Sequence, residues 1–219
     1  LCYNYAMDIK EQFFAITPEV VLDAVESSGL IVTGRCLQLS SFENRVYEIE
    51  LDDESPDLTF EHADKSLIPF VPKKIVAKFY RPGRWTQDQI LEEHAFITDL
   101  LAAEVPAIPA LKFSDGKTLH QVPDSEIFFT LFPKVGGRAP EELNMDQLLQ
   151  VGRLLARIHN VGSSRQAAHR VTLNAENYAR KTLSFLLETA AIPAELSSRY
   201  QKAATAIANR VDELYASTK

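Results

Sequence analysis

Up to Pro133 segments of strand period are interleaved with two helical segments; after Pro133 and Gly136-Gly137 strands disappear and only helical spacing follows. The organisation this predicts is α+β, a small five-stranded sheet with one major helix followed by an all-helical region.

The pattern resolves into elements. Thr17 before Pro18 starts a short helix, because Thr can cap free amides and Pro tolerates the first helical position; Val20, Val21, Ala24 and Val25 give helical spacing, and Gly29 ends it. From Arg35 to Leu51 the period is two: Leu37 and Leu39 alternate with Cys36 and Gln38, then Tyr47, Ile49 and Leu51 with Glu48 and Glu50, joined by the loop Ser40 to Arg45. Residues 52–73 are acidic, then proline-bearing and aperiodic, which predicts a mobile, dispensable surface insertion. Ile75 to Tyr80 makes a third strand. Thr86-Gln87-Asp88-Gln89 has the form of a capping box and opens a helix running to about Ala103. Two more strands are expected near 108–113 and 126–132. Then come a helix capped at Asn144 and helices near 175–190 and 194–216. The domain reading is a tail at 1–16, a sheet-bearing lobe at 17–133 and a hinge plus helical region at 134–219.

Composition narrows the function classes. A formal net charge of −7 is poor for a protein that lives on nucleic acid or an anionic membrane, since phosphate binding needs surplus Lys and Arg. Cys2 and Cys36 have no metal-ligand or disulfide spacing, and His94, His120 and His159 lack ligand spacing and read as structural or surface residues. No signal-like or membrane-length apolar run occurs, which predicts a soluble, cytoplasmic protein.

One charge falls where the pattern wants an apolar group. On the helix after Thr86, Ile90, Phe96, Ile97 and Leu100 lie within about 60° of Glu93 at roughly 100° per residue. Glu92 shares its face with Asp88 and Asp99 and is expected in solvent. A carboxylate facing a core must be paired, because an unpaired buried charge costs several kcal/mol. The partner is Lys78, mid-strand, with Val76 and Tyr80 on its own face. A strand lysine alone is commonly a surface residue, and Glu93 alone can be misphased by one position. Together, a lysine held by a helix carboxylate is how kinases fix a cation against nucleotide phosphates. The loop Ser40 to Arg45 stands where a phosphate-covering loop would, yet it has no glycine, and no Walker or G-x-G-x-x-G pattern occurs. Backbone amides and the Ser41 hydroxyl remain possible phosphate donors.

The runs Ser41 to Tyr47, Lys78-Phe79-Tyr80-Arg81-Pro82, Arg84-Trp85-Thr86, Asp88 to His94, Glu104-Val105-Pro106, Phe132-Pro133 with Val135-Gly136-Gly137-Arg138, Val151-Gly152-Arg153 and Ile158-His159 resemble the stress response kinase A family over about residues 15–180. The resemblance implies a protein-kinase-like N-lobe, a five-stranded antiparallel sheet plus one regulatory-type helix, followed by the helical start of an incomplete C-lobe. It further implies a cytoplasmic serine/threonine protein kinase acting in stress response, with ATP and Mg²⁺, on the fold of aminoglycoside and choline kinases. The ATP-binding set it points to is Ser41, Asn44 and Arg45 of the loop, Lys78, Glu93, and the backbone around Phe132 and Lys134.

The sequence departs from that family in two places. Residues 52–73 are longer than the usual connection. The catalytic H-G-D segment, its following Asn and the later metal-binding Asp do not occur: His62-Ala63-Asp64 precedes Lys78 and has Pro69 where the Asn would stand, and His169-Arg170-Val171 ends in Val. No catalytic residue or metal ligand is therefore assigned, the catalytic loop being expected beyond Lys219. The expectations are an inactive nucleotide-binding portion of a protein kinase, with a small-molecule kinase or a non-catalytic nucleotide-binding module as alternatives. Self-association through an apolar stripe on the last helix is also expected.

Overall fold

Residues 13–14, 16–61, 67–70, 73–137 and 140–217 are described by a computed structural model of the chain. Helix α1 (Pro18–Glu26) begins as its sequence dictates: Thr17 Oγ1 accepts the Val20 N–H at 3.4 Å, and Pro18 occupies the first turn. Val21, Ala24 and Val25 are buried on one face, and Gly29 at φ 90° turns the chain away.

Seven strands follow among the described residues: β1 (Val32–Leu39), β2 (Arg45–Leu51), β3 (Leu58–Glu61), β4 (Leu67–Phe70), β5 (Lys74–Phe79), β6 (His120–Gln121) and β7 (Phe128–Pro133). Five of them form an antiparallel sheet in the order β1-β2-β5-β7-β6. Gly34, at φ 87°, lies within a register break between Val32 and Cys36, a conformation any residue with a Cβ resists.

The fourth sheet strand is not where the apolar run 108–113 predicts it. Pro109 within it, with Pro106 just before it, disturbs that run as a ladder strand. It is instead tied by single bonds, Leu111 N–H to Leu131 O at 2.8 Å and Lys112 N–H to Thr59 O at 2.6 Å. The place beside β7 goes to His120–Gln121.

The stretch 52–73, expected as a mobile, dispensable surface insertion, holds secondary structure of its own. It carries the antiparallel hairpin β3–β4, in register from Leu58 opposite Phe70 to Glu61 opposite Leu67. Leu58, only 3% exposed, joins the main core and Phe60 packs against it. Leu58-Thr59-Phe60 alternates over three residues only, too short a run to read as a strand against prolines and acids. His62-Ala63-Asp64 lies outside the described residues.

Helix α2 (Gln87–Ala102) starts with the predicted capping box: Thr86 Oγ1 accepts the Gln89 N–H at 3.3 Å and Gln89 Oε1 accepts the Thr86 N–H at 3.0 Å. Asn144 and Gln147 cap α3 (Met145–Ser163) in the same manner. A π-turn at Glu176–Arg180 leads into α4 (Lys181–Glu188), and α5 (Ala194–Ser217) follows. The chain divides into two compact units, Leu1–Ala168 and His169–Lys219, so that α3 lies in the first. In the second, Arg180 Nη2 donates to Asn209 Oδ1 at 2.9 Å and Asp212 Oδ2 at 2.7 Å.

Residues opposite each other in the ladders share a face. One face of the sheet carries Cys36, Tyr47, Ile49, Ile75, Ala77, Phe79, Phe129 and Leu131, closed into the main core by α1, Leu58, Leu111 and Phe113. Leu37, Leu39, Val46, Glu48, Val76, Lys78, Thr130 and Phe132 line the other. This second face carries the candidate site.

Candidate nucleotide-binding site

Lys78 reaches this face because the period of two sets it opposite Val46 on β2 and opposite Thr130 on β7. Glu93 reaches it from α2. Lys78 Nζ donates to Glu93 Oε1 at 3.2 Å, with the two side chains 23% and 32% exposed. Lys78 Nζ also stands 4.5 Å from the centre of the Tyr80 ring, two residues along the same face. The predicted ion pair is present, and enough of the ammonium remains accessible to meet an anion.

The buried arc of α2 is wider than the sequence suggested. Ile90, His94 and Leu100 are its buried residues, so it extends to His94, and Glu93 lies inside it near its other edge. His94, expected as a structural or surface residue, is buried at 7% exposure, and nothing in its spacing singles it out. Its Nδ1 lies 2.8 Å from Thr118 Oγ1, and its Nε2 lies 3.4 Å from Tyr80 Oη and 3.5 Å from Thr130 Oγ1. Burial pushes its pKa down to about 4, the Glu93 carboxylate opposing and the Lys78 ammonium assisting. The ring is neutral at ordinary pH. Glu92, expected in solvent, is partly buried, and its Oε1 accepts the Ala168 N–H at 2.6 Å.

Both ends of α2 are held as well. At the C-terminus, Arg157 of α3 donates to Ala103 O at 3.0 Å and Glu104 O at 2.7 Å, placing a cation on carbonyls that have no helical partner. Arg165 pairs with Asp99 on the same helix.

The remaining predicted residues divide. Ser41 is exposed at the tip of the β1–β2 loop, where Phe42 also stands free. Asn44 is engaged in the fold: its Oδ1 accepts the Arg81 N–H at 3.4 Å, while its neighbour Glu43 pairs with Arg84. Arg45 is not brought to the site. It lies opposite Phe79, on the core face, and its Nη2 donates to Phe14 O at 3.2 Å. Phe132 lies on the site face opposite Val76, with its ring edge-on to His94 at 6.3 Å. The Lys134 ammonium is turned to Glu48 Oε2 at 2.6 Å, and Lys74 takes Glu48 Oε1 at 2.7 Å. These two cations hold the Glu48 carboxyl below the usual range. Arg138 lies outside the described residues.

On chemical grounds this face suits a nucleotide. Leu37, 60% exposed, and the half-buried Leu39, Val46, Val76 and Phe132 offer an apolar floor for a flat base. Beside that floor Lys78 presents a positive charge fixed by Glu93. The fit does not extend to a metal: among the described residues no three His, Cys, Asp or Glu side chains are grouped to hold one. Among the same residues no helix is long and apolar enough to cross a membrane.

The comparisons with known proteins agree with this geometry. Stress response kinase A of Escherichia coli O157:H7 is 35% identical over 193 residues, which cover 87% of this chain and 52% of that protein. The serine/threonine protein kinase RdoA of Salmonella typhimurium (strain LT2) is 33% identical over 205 residues, covering 93% of this chain and 56% of its own length. The chain thus spans about half the length of the curated relatives it matches. Among solved structures, the microcompartment-associated aminopropanol kinase superposes with a TM-score of 0.51 at 20% identity, over 73% of this chain and 46% of that one. The amicoumacin kinase hAmiN in complex with AMP-PNP, Ca²⁺ and Ami gives 0.50 at 18%, over 78% and 50%. At such identities the likeness is one of fold. Residues 36–217 match the model of the phosphotransferase enzyme family APH, and with the lysine–carboxylate pair standing on the open face of a kinase-type sheet, the chain belongs to that family.

Proposed function

We propose that this chain is the nucleotide-binding portion of an ATP-dependent serine/threonine protein kinase of the bacterial stress response, working in the cytoplasm. Residues 17–133 form its first lobe and residues 134–219 its hinge and the start of a helical lobe. The observation that carries the reading is the Lys78–Glu93 pair, 3.2 Å apart on the same face as the apolar floor of Leu37, Leu39, Val46, Val76 and Phe132. Lys78 would neutralise phosphate oxygens, Glu93 would hold Lys78 in place, and the backbone at Phe132 and Lys134 would meet the base. Ser41 is exposed on the β1–β2 loop, where it can serve the phosphates. Asn44 and Arg45 are spent on the fold and carry no part of the proposal.

Protein as the acceptor, and a role in stress, rest on the names of the relatives. ATP brings its divalent metal, Mg²⁺ by preference, whose chemistry is to neutralise charge on the phosphates. No step through that ion is assigned to these residues. The exposed apolar residues of α5 support self-association of the isolated chain.

The test is calorimetric titration of the chain with Mg-ATP. Micromolar to millimolar binding is expected, weakened about ten- to hundredfold by Lys78→Met, the loss of one charge-assisted contact. Equal affinity in the variant would sink the site. The acceptor is tested with labelled ATP on a version extended to the length of the relatives. Label on Ser or Thr of a protein supports the reading, and label only on choline or an aminoglycoside replaces it with small-molecule phosphorylation.

A further inference from the structure

His94 packs on the site-bearing face against Tyr80, Thr130 and Phe132 and is neutral at ordinary pH, and it is one of only three buried polar or charged side chains among the described residues. A polar group is retained in a core at a cost unless its hydrogen bonds are made, and here both ring nitrogens have partners. The identity of those partners is informative. Tyr80 is the residue whose ring lies under the Lys78 ammonium. Thr130 is the residue directly opposite Lys78 in the β5–β7 ladder. Thr118 belongs to the segment leading into β6. His94 therefore joins α2 to the two residues that flank Lys78, and it directly follows Glu93 in the chain.

We propose that His94 is a positioning residue: held by Thr118 on one side and by Tyr80 and Thr130 on the other, it fixes the rotation of α2 at which Glu93 meets Lys78. The proposal deepens the nucleotide-binding reading above and rests on it for its functional consequence.

The physical need for such a device follows from helix geometry. Ile90 packs with Tyr80 and Leu119, an apolar contact that is non-directional and tolerates small rotations. A carboxylate about 5–6 Å from the helix axis moves roughly 2 Å for a turn of about 20°, enough to carry Glu93 out of reach of Lys78. Hydrogen bonds are lost on such a displacement because they demand both distance and angle. The capping box and Arg157 fix the ends of α2, whereas His94 acts beside Glu93 itself.

The experiment compares His94→Leu, Thr118→Val and His94→Asn with wild type in the full chain. The ion pair is read without nucleotide from the ¹³C resonance of the Glu93 side-chain carboxyl, with Lys78→Met defining its unpaired position. Mg-ATP affinity is then read by calorimetry. His94→Leu and Thr118→Val are expected to move the carboxyl resonance toward its Lys78→Met position and to weaken Mg-ATP binding by about tenfold. Neither substitution should weaken binding further in a Lys78→Met background. His94→Asn, whose amide can still bond Thr118, should recover part of both. If His94→Leu does not fold, Thr118→Val decides by the same readings. A folded variant with an unchanged carboxyl resonance overturns the proposal. If Lys78→Met leaves Mg-ATP affinity unchanged, the nucleotide reading fails, while the resonance still decides the role of His94.

Discussion

Lys78 and Tyr80, two residues apart on one face of the same strand, hold each other: the ammonium lies 4.5 Å from the ring centre while it donates to Glu93. The cation thus has an anion on one side and an aromatic face on another, and still keeps a quarter of its surface in solvent. A partly exposed ion pair contributes only about 0–1 kcal/mol. Lys78→Met keeps the apolar stem and should shift the melting temperature by no more than a few degrees. A loss of stability comparable to the expected loss of nucleotide affinity would mark Lys78 as a structural residue instead.

His94 makes stability depend on pH. Its folded pKa of about 4 lies below the ordinary 6.5, so the unfolded chain binds the proton more readily. The contribution is fully present above about pH 6.5 and is lost as pH falls toward 4, amounting to roughly 3 kcal/mol. The groups that face the ring are Glu93, which opposes the shift, Lys78, which assists it, and Tyr80. Denaturant titrations between pH 7 and pH 4 should show this slope in the wild type and a shallower one in His94→Leu. Parallel slopes would show that another group titrates.

Much of this was legible in the residues themselves. Thr17-Pro18, the Thr86 to Gln89 box and the Asn144 cap are local chemistry, and local chemistry survives into the fold unchanged. The alternation around Tyr47 and around Ala77 placed two central strands, and from them the face of Lys78. What the residues leave undecided has another cause. A histidine has no fixed side in a pattern, so the choice for His94 between structural and surface stays open in the sequence; only Tyr80, Thr118 and Thr130, distant in sequence, make it a core residue. Arg45 was placed with the loop it ends, though one step along a strand changes faces, and position 45 shares the face of Tyr47. Leu58 and Phe60 were hidden among acids and prolines, and the apolar run 108–113 promised a strand that its prolines deny to the ladder.

The β3–β4 hairpin is expected to be part of the folded unit rather than a removable loop. Leu58 is buried in the main core, and Leu58→Ala should cost about 2–4 kcal/mol. Replacing residues 52–73 by a tight turn should lower the melting temperature by several degrees, as the Leu58 and Phe60 contacts go with it. An unchanged thermal midpoint in the shortened chain would return the segment to the status of a surface insertion.

Helix α2 is predicted to depend on both of its caps. Thr86→Ala removes the acceptor of the Gln89 amide and should cost about 1 kcal/mol. Arg157→Ala frees the carbonyls of Ala103 and Glu104 and should cost a similar amount, about 1 kcal/mol, through the loss of a cation at the helix end. Amide exchange along Gln87–Ala102 should accelerate from the first turn in Thr86→Ala and from the last in Arg157→Ala. Uniform protection in both would show that burial of Ile90 and Leu100 alone fixes the helix.

A polypeptide of these 219 residues is expected to bind Mg-ATP without transferring its phosphate. Transfer requires an Asp to orient the acceptor hydroxyl and further ligands to hold the metal against the phosphates. The H-G-D pattern does not occur in the sequence, and no metal-holding group is found among the described residues. In the proposed role Lys78 and Glu93 would supply charge and position only, which favour bound nucleotide and reaction alike and so would not by themselves speed the chemical step. The same polypeptide should self-associate, because Leu196, Tyr200, Ile207 and Leu214 of α5 are each about half exposed or more. Labelled Mg-ATP with a generic protein acceptor, run beside a version extended to the length of the relatives, checks the first expectation. Lys78-dependent label transfer by the short polypeptide would overturn it. Light scattering across a concentration series checks the second: an oligomer that dissociates on Ile207→Lys is expected, and a monomer at every concentration would show that the exposed side chains of α5 are tolerated by water.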